Sequence, residues 1–331
     1  MRLPGRRRTV YVADRVDEYR AYWSAAASSI GADFLPLTDR LWEVRLGGAR
    51  TRIMNDLLQL DDPVVLAMAG DKGLCYRLAA DLGIPVPLHG IFPRRGLWAA
   101  WRMISEDGHP FVIKPRRNTS SGMGVTVGVT RLDETARAVA RAGVRDSSFI
   151  AERMVAGETC RLLFLGGEMI HAVRRRGIRV TPDGHASIGA LLAAEGHADL
   201  AADRVTILTL LAQDLTVGSV PSVGPPVLVR VLPAPERKRV ELRTVYDEEI
   251  TALVAPELVA ELRQVVDAIG SEWAGVDILT TDPGRPLSEV GGVLLELNTT
   301  PGLHHHCGLS VARTPCDIAV QVLRFALKAR S

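Results

Sequence analysis

The sequence predicts a mixed α/β (α+β) fold. Short apolar runs rich in β-branched residues, at 110–114, 124–129, 148–152, 274–279 and 293–298, are bounded by Gly and Pro as strands are. Stretches of helical period lie between or beside them, at 18–29, 133–142 and 256–270. The chain has 331 residues, 47% of them hydrophobic, which is ample for a large core split over two domains or one multi-lobed domain.

Taken in order, residues 9–14 read as a strand, 18–29 as a helix and 32–46 as short alternating elements. Residues 66–82 read as largely helical, ended by Gly83 and the Ile84-Pro-Val-Pro87 punctuation. A second unit starts near residue 95. Its strand at 110–114 is stopped by Pro115, and a further strand follows at 124–129. The helix at 133–142 has Asp133 as its cap and Gly143 as its stop. A strand at 148–152 precedes a hairpin over 161–173 that turns at Gly166-Gly167. Residues 182–235 carry prolines at 221, 225, 226, 233 and 235 and read as a long irregular connection. The helix at 256–270 sets Leu258, Leu262, Val265 and Val266 on one face. No internal repeat and no low-complexity segment interrupts this order.

Composition removes several function classes. A formal net charge of +2 lacks the basic excess of a nucleic-acid surface, so no nucleic-acid partner is expected. No apolar run reaches membrane-spanning length, and the arginines at 6–8 are followed at once by Tyr11-Val-Ala-Asp14, so neither membrane insertion nor a leader is expected. The four cysteines at 75, 160, 307 and 316 show no zinc-type or redox spacing and read as reduced thiols of a cytoplasmic protein. Lysine occurs only at 72, 114, 238 and 328 among many arginines, which draws notice to Lys72 and Lys114 as compact point charges.

The most informative stretch is Val293-Leu-Leu-Glu-Leu-Asn298, running into Thr-Thr-Pro-Gly302. On a strand, Leu294, Glu296 and Asn298 share one face and Val293, Leu295 and Leu297 the other. A carboxylate inside such a strand costs several kcal/mol unless it is paired with a cation. Asp277 interrupts the run at 274–279 in the same way. Turn residues at 282–284 and 291–292 make these two runs antiparallel neighbours, each offering hard oxygen to one site. Asp277, Glu296 and Asn298 thus suit Mg²⁺ or Mn²⁺, which takes one or two carboxylates and leaves its other positions to water and phosphate. An ion pair with one of the many arginines is the competing use of these acids. The loop from Lys114 to Gly124, with Ser121 and Gly122 inside it, lies between two strands; its small residues let backbone N–H groups approach an anion. It is neither a P-loop nor a dinucleotide fingerprint, since GxxxxGK[ST] is absent and a strand follows. Glu152 ends an apolar strand, where it either accepts from a base or ribose or lies on the surface. His304-His305-His306 cannot all converge on one ion, which argues against a zinc site there. Arg174, Arg175 and Arg176 read as a solvated face from which one side chain can orient a phosphate or carboxylate.

The order of these parts resembles the ATP-grasp superfamily from about residue 71 to 306, with the ATP-grasp domain of cyanophycin synthetases as the nearest likeness and glutathione synthetase and ribosomal-protein glutamate ligases as cousins. Asp71-Lys72 with Leu82-Gly-Ile-Pro-Val-Pro87, Lys114-Pro115 with Ser121-Gly-Met-Gly-Val125, Arg161-Leu-Leu with Gly167, Arg175 and Asp183-Gly184, then Ala274-Gly-Val-Asp277 and Glu296-Leu-Asn298 carry it. Two departures accompany it: Thr159 stands where the family usually holds the ribose with an acid, a role that falls to Glu158 beside it, and residues 236–244 replace the family's substrate segment. The resemblance does not extend to the Mur-ligase-like half of cyanophycin synthetase.

The resemblance implies three α/β lobes, at 1–94, 95–155 and 156–331, with ATP between the central and C-terminal lobes. It implies a carboxylate–amine ligase that makes an amide or peptide bond through an acyl phosphate, with Mg²⁺ or Mn²⁺ at Asp277, Glu296 and Asn298. Lys72, Lys114, Ser121, Gly122, Gly124, Glu152 and Glu158 would bind the nucleotide, with Lys114 and Arg175 at the transferred phosphoryl. The expected partners are a small carboxylate, an amine and, as in many relatives, a second copy of the chain. A small-molecule kinase and a nucleotide sensor without turnover are the alternatives.

Overall fold

In the computed structural model, residues 6–117, 123–230, 247–307 and 316–329 are described, with side chains from residue 15 onward. In chain order the elements are α1 (Arg6–Ser29), β1 (Asp33–Pro36), β2 (Leu41–Leu46), β3 (Ala49–Met54), β4 (Leu57–Leu58), α2 (Pro63–Ala69), α3 (Lys72–Asp81), β5 (His89–Pro93), α4 (Leu97–Asp107), β6 (Phe111–Pro115), β7 (Thr126–Val129) and α5 (Leu132–Gly143). They continue with β8 (Ser148–Arg153), β9 (Glu158–Leu165), β10 (Glu168–Arg175), β11 (Ile178–Val180), α6 (Ile188–Ala194), α7 (Arg204–Leu211), β12 (Val227–Arg230), β13 (Glu248–Glu249), α8 (Pro256–Ile269), β14 (Trp273–Thr280), α9 (Leu287–Val290), β15 (Val293–Asn298) and α10 (Asp317–Lys328). None of the described helices is long and apolar enough to cross a membrane.

The chain divides into two units. The first comprises residues 1–86, 160–174 and 248–331. Its sheet order is β13-β10-β9-β14-β15, beside a separate antiparallel sheet β1-β2-β3-β4. Its core joins Tyr19 and Trp23 of α1, Trp42 and Val44 of β2, Leu163 of β9, Trp273 of β14 and Val322 and Leu323 of α10. The second unit comprises residues 87–159 and 175–247. It holds the sheet β5-β8-β6-β7, backed by Ile104 of α4 and Ala138 and Ala142 of α5, and a small ribbon β11-β12 packed on Ile188, Leu192 and Leu210 of α6 and α7.

The hairpin read over 161–173 is present as β9 and β10, turning at Gly166 (φ +57°) and Gly167 (φ +78°). Side chains rarely adopt these angles, and a Cβ on Gly166 would also meet the Phe325 ring at 2.6 Å. Helix α8 buries Leu258, Leu262, Val265 and Val266 together, as its period demands. The helical reading of 66–82 resolves into two helices. Gly70 closes α2, and Asp71 starts α3 by accepting the backbone N–H of Gly73 and Leu74 at 3.0 and 3.2 Å.

Six readings are corrected. Residues 9–14 are helical, not a strand, because no Gly or Pro separates them from the alanine-rich stretch that follows, and a helix once nucleated propagates. Asp133 does not cap α5; Arg131 stands there, and Asp133 lies inside the first turn, paired with Arg131 and Arg137. Gly143 falls within that helix rather than stopping it, with Val144 at its end. The span 182–235 is not an irregular connection up to residue 230: α6 and α7 begin at side-chain caps, Ser187 accepting from Ala190 N–H at 3.2 Å and Asp203 from Thr206 N–H at 3.1 Å. The cysteines are not all reduced: Cys307 and Cys316 form a disulfide across nine positions, while Cys75 and Cys160 remain buried thiols.

The sixth correction concerns β15. Asp277 pairs with Glu296, but Ile278 pairs with Leu294, so Leu295 is an extra residue on β15. Directly opposed residues share a face, so Leu294 joins Ile278 on the side away from Asp277 and Glu296. The bulge breaks the alternation that put Leu294 with Glu296.

Candidate active site

The acidic strands are antiparallel neighbours, and Asp277 lies directly opposite Glu296. Asp277 is almost fully buried, and the Glu296 side chain is 29% exposed. Two like charges so placed repel unless something compensates them. Here each carboxylate holds its own cation. Arg161, on β9 beside β14, forks onto Asp277: its Nε donates to Oδ1 and its Nη2 to Oδ2, both at 2.6 Å. Lys72, in the first turn of α3, reaches Glu296 Oε2 at 3.5 Å, because α3 packs against β15. Both cations are buried.

Asn298 ties the acids together. Its Nδ2 lies 3.3 Å from Glu296 Oε1 and 3.5 Å from Asp277 Oδ2. A flip of the amide puts its oxygen in the same place, since the two ends are interchanged by rotation about one bond. The three side chains proposed from sequence therefore meet, with hard oxygen donors within a few ångströms of one another. This set fits a divalent cation: two carboxylates and an amide bring hard oxygen to one place, and Glu296 is partly open. Backbone supports the arrangement. A Cβ on Gly275, two residues before Asp277, would meet Pro301 Cβ at 2.8 Å, so the turn after Asn298 closes onto a strand that must be bare there.

Burial pushes the Cys75 thiol up to about 12. His306 is 3% exposed, and burial, then His171 and Arg161, hold it well below the ordinary histidine range, so it is neutral. Its Nδ1 lies 2.9 Å from His171 Nδ1, and burial lowers His171 as well. His304 goes elsewhere, its Nδ1 2.9 Å from the Tyr19 hydroxyl. His304 and His306 thus have separate neighbours, while the His305 ring lies against that of His304 with centroids 4.0 Å apart. Among the described residues, no three His, Cys, Asp or Glu side chains cluster as a metal group.

The second unit carries the other proposed residues. Val112 of β6 pairs with Glu152 of β8, so Lys114 and Glu152 are diagonal neighbours on one face. Lys114 Nζ meets Glu152 Oε2 at 2.8 Å, both buried. Glu152 is thus not a surface residue. Gly124 follows at φ +82°, where a Cβ would strike Pro115 Cγ at 2.8 Å, so the loop between β6 and β7 needs glycine at its exit. Ser121 and Gly122 lie outside the described residues. Glu158 accepts from Arg179 Nη2 at 2.9 Å and from Arg176 Nε at 3.4 Å. Arg175 ends β10 and is buried. Arg176, read as part of a solvated face, is instead bound to Glu158.

Sequence reasoning missed the partner of Asp277. Arg161 was visible only as a motif residue, and nothing local ties it to an acid 116 positions away. The His171–His306 contact was equally hidden, at a separation of 135.

No protein-family profile matches the chain. It is 30% identical over 279 residues to the cyanophycin synthetase of Synechocystis sp., covering 77% of this chain and 30% of that protein. It is 29% identical over 252 residues to the cyanophycin synthetase of Trichormus variabilis, covering 72% of this chain and 27% of that protein. The chain therefore spans less than a third of these relatives. Its fold is shared with the bifunctional glutathione synthetase of Pasteurella multocida, at TM-score 0.57 and 20% identity over 90% of this chain and 42% of that one. Fold and sequence together make the chain a member of the ATP-grasp superfamily, related to the cyanophycin synthetases.

Proposed function

We propose that the chain is an ATP-dependent carboxylate–amine ligase that forms an amide bond through an acyl phosphate, acting on amino-acid or peptide substrates. The observation that carries this reading is the meeting of Asp277, Glu296 and Asn298 beside Lys72. An acid pair joined by an amide, with a lysine alongside, suits a metal–triphosphate complex better than a metal alone.

In this reading Asp277, Glu296 and Asn298 hold Mg²⁺ or Mn²⁺, which supplies charge neutralisation at the phosphate oxygens. Lys72 and Lys114 bind phosphate oxygens as point charges and orient the terminal phosphoryl group. Arg175 stabilises the negative charge that builds on that group as the substrate carboxylate attacks. The loop ending at Gly124 shields the acyl phosphate from water, and the amine then attacks its carbonyl carbon and expels phosphate. Glu152 and Glu158 take the adenine and ribose edges.

Incubation with ATP, Mg²⁺ and pairs drawn from a panel of amino acids and short peptides tests this. ADP release that requires both an acid and an amine, with an amide of the summed mass less water, is expected. Phosphorylated acid released without an amine identifies a kinase instead. Nucleotide binding with no ADP formed across the panel identifies a sensor.

A further inference from the structure

The sheet of the second unit ends at β5, which has β8 on one side and no strand on the other among the described residues. Leu88 O accepts from Arg153 N–H and Arg94 N–H donates to Ser147 O, both at 2.8 Å. Even-numbered positions along β5 therefore bond to β8, and Ile91 turns its own N–H and C=O to the open edge. Such edges are ordinarily blunted by a charge or covered, yet Ile91 is apolar and 40% exposed. Beside the edge, Leu88, Phe92, Ala99 and Met103 line a groove of about 480 Å³ along α4, with the exposed Arg102 and Glu106 lining it too. These two charges stand one turn apart on α4, and neither side chain has a hydrogen-bond or ion-pair partner among the described residues. Trp98, one turn before Arg102, is 68% exposed.

We infer that two copies of the chain join at this face, β5 pairing antiparallel with β5 of the other copy about a twofold axis at Ile91. The inference is independent of the ligase reading. A strand that meets its own copy at Ile91 sets Ile91 opposite Ile91, and the outward N–H and C=O of both are satisfied there. The same axis sets the two α4 helices antiparallel and side by side, each covering the apolar groove of the other. Arg102 of each copy then comes within side-chain reach of Glu106 of the other. Two ion pairs form that neither copy makes alone, and this charge match favours a second copy over a foreign partner. Pro93 has no N–H to extend the ladder, which suits a short contact that closes at two copies.

Sedimentation equilibrium of the full chain tests this. Twice the mass of one chain is expected at about 10–100 µM. Ile91→Lys puts a charge on the edge and is expected to weaken the dimer at least about tenfold. Arg102→Glu sets like charges against Glu106 of the other copy and is expected to do the same. Arg102→Glu combined with Glu106→Arg restores opposite charges and is expected to bring the dimer back, a result that loss of structure would not give. Ile91→Cys is expected to oxidise to a covalent dimer, because a hydrogen-bonded antiparallel pair holds its Cα atoms about 5.5 Å apart, within disulfide reach. The chain's own cysteines are bonded or buried and do not compete. Val144→Cys, at a position 77% exposed on the same unit, is expected to stay uncoupled. A single-chain mass up to about 100 µM overturns the inference. So does a dimer that Ile91→Lys and Arg102→Glu leave unchanged, which places the contact elsewhere, and so does equal coupling through both added thiols.

Discussion

Lys114 and Glu152 share one face of the β6–β8 pair and meet at 2.8 Å with both side chains buried. The same lysine is proposed to bind phosphate, so its charge serves the resting structure and the ligand in turn. Lys114→Ala leaves Glu152 buried without this partner and is expected to cost about 3–5 kcal/mol of stability. Replacing both together, as Lys114→Met with Glu152→Gln, is expected to recover most of that loss while nucleotide affinity stays low. Urea unfolding and calorimetric titration with an ATP analogue separate the two effects. Unchanged affinity in the double variant would remove Lys114 from the phosphate site.

Glu296 is the more open of the two proposed acid ligands, with 29% of its side chain exposed against 9% for Asp277. Glu296→Ala is expected to keep the fold, losing no more than about 2 kcal/mol of stability. Turnover is expected to fall by about 10²-fold or more, as when a fixed stabiliser of developing charge is lost. Circular dichroism and steady-state ADP release check this; near-normal turnover would refute the metal assignment.

The Cys307–Cys316 disulfide bridges nine positions, between the histidine turn and α10. A loop of that size restricts the unfolded chain by about 2–3 kcal/mol. Melting with a dithiol reductant is therefore expected to show this loss, and the variant with both cysteines changed to Ser is expected to match the reduced protein and ignore the reductant. Equal melting temperatures with and without reductant would show that the bridge does not form in solution.

His306 and His171 have pKa values lowered by burial in the folded chain. In the unfolded chain both titrate near the ordinary value of about 6.5. Between the folded and unfolded values the unfolded state binds more protons, so stability is full above about pH 6.5 and falls as pH drops toward the folded values. Each histidine contributes a slope of up to about 1.4 kcal/mol per pH unit in that window. Urea midpoints from pH 7.5 to 5 are expected to decline, and less steeply in His306→Gln. A flat profile in the unaltered chain would contradict the buried neutral pair.

Much of the site is legible from local pattern. Acids that interrupt β-branched runs at 277 and 296, with turn residues between, announce two neighbouring strands that share a polar face. Lys72 and Lys114 stand out because lysine is scarce. The hairpin at Gly166-Gly167 and the buried face of α8 follow from turn chemistry and helical period. Other features were misread because the local signal is degenerate. Residues 9–14 carry β-branched side chains yet continue a helix, and Ser187 and Asp203 start helices inside a stretch that prolines made look irregular.

By itself the sequence determined which residues carry oxygen and positive charge, and the strands on which the acids sit, because strand period and turn composition are encoded within a dozen positions. Tertiary structure alone decided how those charges are matched. Arg161 reaches Asp277 across 116 positions, the extra residue in β15 moves Leu294 to the other face, and Cys307 is bonded rather than reduced. The physical reason is that pairing energies depend on distance and burial in three dimensions. A one-dimensional pattern shows that a buried charge needs a partner, but not which of the chain's many cations supplies it.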